Sequence, residues 1–345
     1  VALTSGQVAA FTSAQVSALT TAQLLKMETA DLAALTSTQV AALTTAQVQA
    51  LGSDQLTAMS TAQIAALSAM QLSALTTDQL ASISTAKIAA LKPAQIAALM
   101  TSQVQTLGTD QIAAFTTTQA SALTNAQVAA LKTAQLAAMG TANLTSLGST
   151  QVASLSTAQL TSLSTAQLAA LKAPQVAALT SAQLQALTSA GVVALSTAQV
   201  AALTTGQVSA LTTAQLAVME TADLISLGSA QIAALTTTQV ASLPTAQVAI
   251  LKADQIAALT TSQVQALSTD QLAAMTTAQV AALTINQVRS LTTSQLVKLQ
   301  TADLAVLSTA QISSLTTGQV RALGTDQVVA LTSGQVAAFT SAQVS

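Results

Sequence analysis

Residues 35–51 read LTSTQVAALTTAQVQAL, which is two copies of one eight-residue pattern followed by the first residue of a third. The same pattern starts at Leu3 and continues to the end of the chain without insertion or deletion. Its consensus is L-[ST]-T-A-Q-[VLI]-A-A, and each copy is called an octad below. A fixed short period indicates a repeat architecture, so we interpret residues 1–345 as a single uninterrupted array of octads.

The octad period argues against the two simplest backbones. Apolar residues are spaced alternately three and five apart, so on a continuous α-helix the apolar stripe would drift by about 80° in each octad. A strand should alternate apolar and polar residues, which A-Q-V-A-A-L does not. A β-solenoid therefore remains only the alternative, and the chain must change direction every eight residues.

The second and fifth octad positions form the motif [ST]-x-x-Q, which is a helix capping box. Ser or Thr occupies 28 of the 43 second positions and Gln 37 of the 43 fifth positions, so nearly every octad can start a helix. In the first octad Thr4 is the N-cap and Gln7 is N3, while Leu3 and Val8 lie at N′ and N4, the two positions of a hydrophobic staple. Each octad is predicted to be a helix of about seven residues that begins near residue 4 + 8k.

Charged residues and prolines agree with this frame. The acids lie between N-cap and N3, where an anion complements the positive end of a helix: Glu28 and Glu220 at N-cap, Asp54, Asp78, Asp110, Asp254, Asp270 and Asp326 at N2, and Asp31, Asp223 and Asp303 at N3. Eight bases lie late in a helix or at the junction after it: Lys26, Arg289, Lys298, Arg321, Lys92, Lys132, Lys172 and Lys252. Lys87 alone breaks the rule. Pro93, Pro174 and Pro244 lie at N1, N2 and N-cap, where a missing amide hydrogen costs no intrahelical bond.

A single octad cannot fold by itself, because the entropy lost on ordering eight residues exceeds what one cap and two buried aliphatic residues return. Stability must come from stacking on neighbouring octads, as in a solenoid. The predicted fold is therefore an all-α superhelix of very short helices. The aliphatic residue shared between successive helices is the predicted core, and Phe11, Phe115 and Phe339 occupy that position.

A longer period is also present. Residues 1–17, VALTSGQVAAFTSAQVS, return unchanged as residues 329–345. This identity predicts a super-repeat over 1–328 whose next copy begins at 329, within a longer parent protein. Lys92, Lys132, Lys172 and Lys252 are 40, 40 and 80 residues apart, so five octads per superhelical turn would align them on one side. Segmental duplication is the alternative explanation.

The amino-acid composition excludes most kinds of catalytic and metal-binding site. The chain has no Cys, His, Trp or Tyr, and only 6% of its residues are charged. We predict no catalytic residue, no metal or cofactor site and no small-molecule substrate. Nine bases and a net charge of −2 argue against a nucleic-acid partner. Polar residues interrupt every apolar stretch well before the roughly 18 residues of a membrane span.

The closest carboxylate pairs are Glu28 with Asp31 and Glu220 with Asp223. A cation site or an acid/base pair is one interpretation. The favoured one is a variant capping box, because both residues occupy capping positions.

The unit L-T-x-A-Q-V-x-A-L at residues 43–51 resembles the first helix of transcription activator-like effector repeats, without their base-reading loop or basic character. Over its full length the chain resembles the octapeptide arrays of very large bacterial secreted or surface proteins of adhesin or filament type. That resemblance implies an extracellular or cell-surface location. We expect any targeting signal to lie outside this segment.

Two classes of function remain. The first is a structural, non-enzymatic filament, sheath or stalk that assembles with copies of itself. The alternative is a solenoid binding module or adhesin whose groove holds a peptide, a glycan or a surface. Ice binding by rows of threonine hydroxyls is less favoured, because helix capping already accounts for the first threonine of each pair.

Overall fold

The computed structural model describes residues 4–344. These residues form 43 α-helices of four to six residues, and no strand occurs among them. The all-α prediction is confirmed, and a β-solenoid is excluded for this part of the chain. None of these helices is long and apolar enough to cross a bilayer.

The structure comprises two compact units, Val1–Leu179 and Thr180–Ser345. The helices of the N-terminal unit are α1 (Ser5–Ala9), α2 (Ser13–Ala18), α3 (Thr21–Leu25), α4 (Thr29–Ala34), α5 (Ser37–Ala41), α6 (Thr45–Ala50), α7 (Ser53–Ala58), α8 (Thr61–Ala66), α9 (Ala69–Ser73), α10 (Thr77–Ser82), α11 (Thr85–Ala89), α12 (Pro93–Ala97), α13 (Thr101–Thr106), α14 (Thr109–Ala113), α15 (Thr117–Ala122), α16 (Asn125–Ala130), α17 (Thr133–Ala138), α18 (Thr141–Ser146), α19 (Ser149–Ala153), α20 (Thr157–Thr161), α21 (Thr165–Ala170) and α22 (Ala173–Ala177).

The helices of the C-terminal unit are α23 (Ser181–Ala186), α24 (Ser189–Val193), α25 (Thr197–Ala201), α26 (Thr205–Ala210), α27 (Thr213–Ala217), α28 (Thr221–Leu224), α29 (Ser229–Ala233), α30 (Thr237–Ser242), α31 (Thr245–Ala249), α32 (Ala253–Ala258), α33 (Thr261–Ala266), α34 (Thr269–Ala273), α35 (Thr277–Ala281), α36 (Ile285–Ser290), α37 (Thr293–Leu296), α38 (Thr301–Ala305), α39 (Thr309–Ser313), α40 (Thr317–Ala322), α41 (Thr325–Val329), α42 (Ser333–Ala337) and α43 (Ser341–Val344).

The helices are shorter than the seven residues predicted, because the leucine of the octad consensus leaves the helical conformation. After α6, Leu51 is extended, with φ −62° and ψ 137°. The N-cap that follows, Gly52, is extended as well. These two consecutive extended residues redirect the chain into the next helix. No described residue has positive φ, so the junctions do not depend on glycine.

The core consists of two aliphatic columns, N4 and the leucine of the junction. In the octad of α6, Val48 and Leu51 are both buried. Within the N-terminal unit each helix packs against the helix three places further along, and the same spacing recurs through most of the C-terminal unit. The predicted core positions are confirmed, with Phe115 fully buried and Phe11 and Phe339 half-buried.

The hypothesis of five octads per superhelical turn, drawn from the lysine spacing, was wrong, because each turn contains fewer than five octads. The helices in contact are three octads apart. Hydrogen bonds between turns join residues 28 to 31 positions apart, which is less than four octads. Forty residues therefore correspond to between one and two turns, and Lys92 and Lys132 do not fall one above the other. The turn is set by the angle at each junction and not by the spacing of the lysines.

The capping frame is confirmed at the prolines and at the N2 acids. Pro93 begins α12, Pro174 is the second residue of α22, and Pro244 is the N-cap of α31. The six N2 aspartates all lie in the first turn of their helices. The backbone N–H groups of a first turn have no partner within the helix, so an anion there is favourable.

Candidate functional site

The N3 glutamines form the most distinctive feature of the molecule, because the buried ones join their own helix to an earlier one, as in the two examples that follow. Gln103 of α13 is fully buried. Its Oε1 accepts from the Met100 backbone N–H at 2.8 Å, which is the local half of a capping box. Its Nε2 donates to the carbonyl oxygens of Leu72 and Leu75 at 3.1 and 2.7 Å, at the end of α9 four helices earlier.

The C-terminal unit has the same arrangement. Gln263 of α33 accepts from the Thr260 N–H at 2.6 Å and donates to the carbonyls of Ile232 and Leu235 at 3.1 and 2.6 Å. Its own N–H donates to the Thr260 hydroxyl at 3.2 Å, which completes the capping box. One side chain thus satisfies an orphan amide at the start of its own helix and orphan carbonyls at the end of another.

The exception at Gln247 supports this account. Gln247 still donates to Leu216 O at 3.0 Å. Its Oε1 is buried and has no partner among the described atoms. The reason is that its N-cap is Pro244, which has no backbone N–H to donate.

The sequence predicted the hydrogen bond from each N-cap N–H to the N3 glutamine of the same octad. It did not predict the bonds that the glutamine donates to carbonyls of an earlier turn. One signal was available: no octad has Glu at N3. Glu serves a capping box as well as Gln does. Only Gln, however, offers an N–H donor beside its acceptor oxygen. The preference for Gln over Glu therefore indicates that a donor is favoured at N3, although Asp31, Asp223, Asp303 and Gly191 occupy that position in four octads.

Asn143 and Lys87 replace Gln at N3 and keep the donation between turns. Asn143 Nδ2 donates to Phe115 O at 2.7 Å, 28 residues earlier, so an amide one methylene shorter than Gln reaches that carbonyl. Lys87 is buried and its Nζ donates to the carbonyls of Leu56 and Thr57. Burial lowers the pKa of the Lys87 ammonium. The one base that departed from the charge pattern therefore binds the negative end of another helix.

The carboxylates at N3 do not form the predicted variant capping box in the two Glu-x-x-Asp octads. Glu28 and Glu220 make no side-chain cap hydrogen bond. Asp31 instead accepts from the Ser5 hydroxyl at 2.9 Å. The side chain of Asp223 is hydrogen-bonded to Thr197. In both octads the Asp side chain is instead hydrogen-bonded to a hydroxyl of an earlier turn.

The three N3 aspartates, Asp31, Asp223 and Asp303, are all buried. Burial raises the pKa of Asp223; the hydrogen bond with Thr197 lowers it in part, and the charge of Glu220 raises it further. Burial also raises the pKa of Asp303, against the smaller effect of the hydrogen bond from the Gln300 N–H. An ionised carboxylate accepts hydrogen bonds only, so it cannot link two turns as Gln does.

Three surface grooves recur at the octads that read Gly-[ST]-Asp-Gln, residues 52–55, 108–111 and 324–327. Their volumes are about 540, 380 and 600 Å³ respectively. Each lies between an N-cap glycine and the end of an earlier helix. Within residues 4–344, no group of three or more carboxylates is placed to hold a metal ion.

The fold and the glutamine column define a class: a tandem array of helical octads whose turns are joined by side-chain hydrogen bonds to the backbone. A model of the ALTTAQ repeat matches the chain at residues 24–60, 53–85, 80–117, 88–125, 120–157, 153–181, 176–213, 216–253, 251–285, 296–333 and 319–345. The chain belongs to the ALTTAQ repeat family. No curated protein matches it.

Proposed function

We propose that this protein is a structural, non-enzymatic component of an extracellular filament, sheath or stalk, built from tandem octads and assembling with copies of itself. The observation that carries the proposal is the glutamine column. It gives each unit a repeating set of buried hydrogen bonds between turns that does not depend on any ligand.

The chemistry of the octad supports a passive role. The titratable groups are few, and most lie at helix ends where they cap or complement a dipole. The side chains of buried glutamines are hydrogen-bonded to backbone atoms, so they are not available to bind a substrate. Tandem repeats also make stability a sum of similar interfaces, which suits an element that must be long.

The test is to locate and size the parent protein. An antibody raised against the 345-residue chain should label rods outside the membrane in immunogold electron microscopy of intact source cells, and should detect a large protein in the surface or secreted fraction. Label confined to the cell interior, or a compact particle no longer than this chain, would overturn the proposal.

The second candidate is a binding module, and the three Gly-[ST]-Asp-Gln grooves are the feature that supports it. Each combines an acidic side chain with an open cleft between turns. Extracellular label on discrete particles bound to a glycan or peptide surface, without rods, would favour this candidate over a filament.

A further inference from the structure

The hexapeptide Met-Glu-Thr-Ala-Asp-Leu occurs twice, at residues 27–32 and 219–224, and its two copies differ in structure. The first copy leads into α4, which spans six residues, and the second into α28, which spans four. α4 packs against α7, three places further along. α31 does not pack closely against α28, although every other pair of helices three places apart within the C-terminal unit is in close contact. The cause of the difference therefore lies outside the hexapeptide.

The two copies face different N-cap residues in the following turn. Gly52 and Pro244 each lie 24 residues after the glutamate of the hexapeptide. The Gly52 N–H donates to Gln55 Oε1 at 2.9 Å. Pro244 has no N–H to donate, so Gln247 Oε1 is buried without a partner among the described atoms. A buried acceptor without a donor costs stability, so the octad of α31 is held less firmly than that of α7.

The glutamine link back to the hexapeptide is also longer in the second copy. Gln55 Nε2 donates to the Met27 carbonyl oxygen at 2.9 Å. The equivalent bond from Gln247 Nε2 to the Met219 carbonyl oxygen is 3.2 Å long. Met219 directly precedes the octad of α28, so a weaker bond to its carbonyl leaves the start of that octad less firmly held.

α28 is weakly tied to the preceding turn as well. Its N-cap, Glu220, makes no side-chain cap hydrogen bond. Its N3 residue, Asp223, is hydrogen-bonded to Thr197, and an ionised carboxylate cannot donate to a carbonyl as glutamine does. The carbonyl oxygen of Leu195, 28 residues before Asp223, receives no donor from the described residues. α28 thus lacks the glutamine link on one side and close helix packing on the other.

We propose that the contact between α28 and α31 is a built-in opening point, at which the C-terminal unit separates locally while the turns on either side stay folded. The stability of a repeat array is a sum of local interfaces, and the weakest interface opens first. Opening at one fixed turn lets the array extend or bend there without unfolding elsewhere. This inference goes beyond the proposed function and does not depend on where the parent protein is located.

A glutamate-specific endopeptidase measures this opening, because Glu28 and Glu220 are the only glutamates of the chain and each lies in one copy of the hexapeptide. When reclosing is fast, the cleavage rate follows the population of the open form. Pro244→Thr supplies the missing N–H and a capping hydroxyl, so it should slow cleavage after Glu220 about tenfold and leave cleavage after Glu28 unchanged. The control is Pro174→Ala at N2 of α22, where the proline leaves no buried acceptor without a partner. It should change neither rate by more than about twofold.

The reciprocal variant is Gly52→Pro, which should create an opening point between α4 and α7. Gly52 has φ −70° and ψ 154°, a conformation that proline adopts. The variant removes the N–H that Gln55 Oε1 accepts, so cleavage after Glu28 should become about tenfold faster while cleavage after Glu220 stays the same. In the unmodified chain, amides of α28 should exchange hydrogen at least about tenfold faster than those of α33. Exchange within α33 should be the same in every variant, which establishes that the variants are folded.

Any of four results would overturn the proposal. The first is exchange in α28 as slow as in α33, and the second is cleavage after Glu220 that Pro244→Thr does not slow. The third is an equal effect from the Pro174→Ala control. The fourth is a Gly52→Pro chain whose cleavage after Glu28 is unchanged, because the missing N–H would then not be the cause of opening.

Discussion

Asp303 offers a sharp test of the glutamine column, because the chain contains its isosteric counterpart. Asp303 lies at N3 of α38, is 2% exposed, and accepts from the Gln300 N–H at 3.2 Å. The carbonyl 28 residues earlier, Met275 O, receives no donor from the described residues. At the equivalent position Asn143 donates to Phe115 O at 2.7 Å, so Asp303→Asn should supply the missing donor.

The expected gain is about 1 to 2 kcal/mol of local stability at neutral pH: about 1 kcal/mol for one buried hydrogen bond, and the rest from removing a desolvated charge. Repeat arrays open locally, so the measurement is hydrogen exchange of amides in α34 and α38. A gain of about 1.4 kcal/mol appears as a tenfold increase in protection.

The pH dependence adds a second test. Burial raises the folded-state pKa of Asp303 above its unfolded value. Protonation therefore stabilises the folded wild type: the contribution is fully present below the unfolded pKa of about 3.9 and is lost as pH rises through the folded-state pKa. The protonated carboxyl can also donate a hydrogen bond. The advantage of Asp303→Asn should be full at neutral pH and shrink in acid.

The matched control is Asp254→Asn, at the exposed N2 position of α32. It makes the same chemical change at a side chain that does not face a buried carbonyl of an earlier turn. It also removes an anion from a helix N-terminus. It should lower stability by about 0.3 to 1 kcal/mol, the opposite sign. Equal or lower protection in Asp303→Asn at neutral pH, or an advantage that persists unchanged in acid, would refute the reasoning.

Three further outcomes follow from the same contacts. Gln103→Glu keeps the cap of α13 but places an anion against two carbonyl oxygens, so hydrogen exchange should show that α13 loses about 2 to 3 kcal/mol of local stability. The control Gln105→Glu, at an exposed position of the same helix, should change local stability by no more than about 0.5 kcal/mol. Lys87→Gln should raise the hydrogen-exchange protection of α11 at neutral pH. The gain should diminish as pH rises past the lowered pKa of Lys87, because the wild-type side chain then loses its buried charge. A gain that does not change with pH would show that the buried charge is not its cause. Thr44→Ala should cost about 1 kcal/mol in α6 through the lost cap, whereas Thr45→Ala should cost little, and equal losses would show that the Thr44 hydroxyl does not cap.

The local parts of this fold could be read from neighbouring residues. Thr44 and Gln47 are three residues apart, and their capping bonds need only the backbone between them. The position of Pro93 at the start of α12, and the assignment of Val48 and Leu51 to the apolar columns, can likewise be read within a single octad. The local predictions failed at two points: the helices are shorter than seven residues, and Glu28 with Asp31 forms no capping box, since Asp31 accepts from Ser5 of an earlier turn.

The site between turns needed the tertiary structure. Whether Gln103 meets the end of α9 or of another helix depends on a small rotation at each junction, summed over about 28 residues. No neighbouring pair of residues encodes that sum, and for this reason the five-octad turn could be proposed from lysine spacing and still be wrong. The sequence by itself determined where helices begin, how they are capped and which two columns are apolar, since these are contacts within one octad. The tertiary structure decided which carbonyls the glutamines bind and which of their side chains are buried, because those contacts join octads nearly four repeats apart.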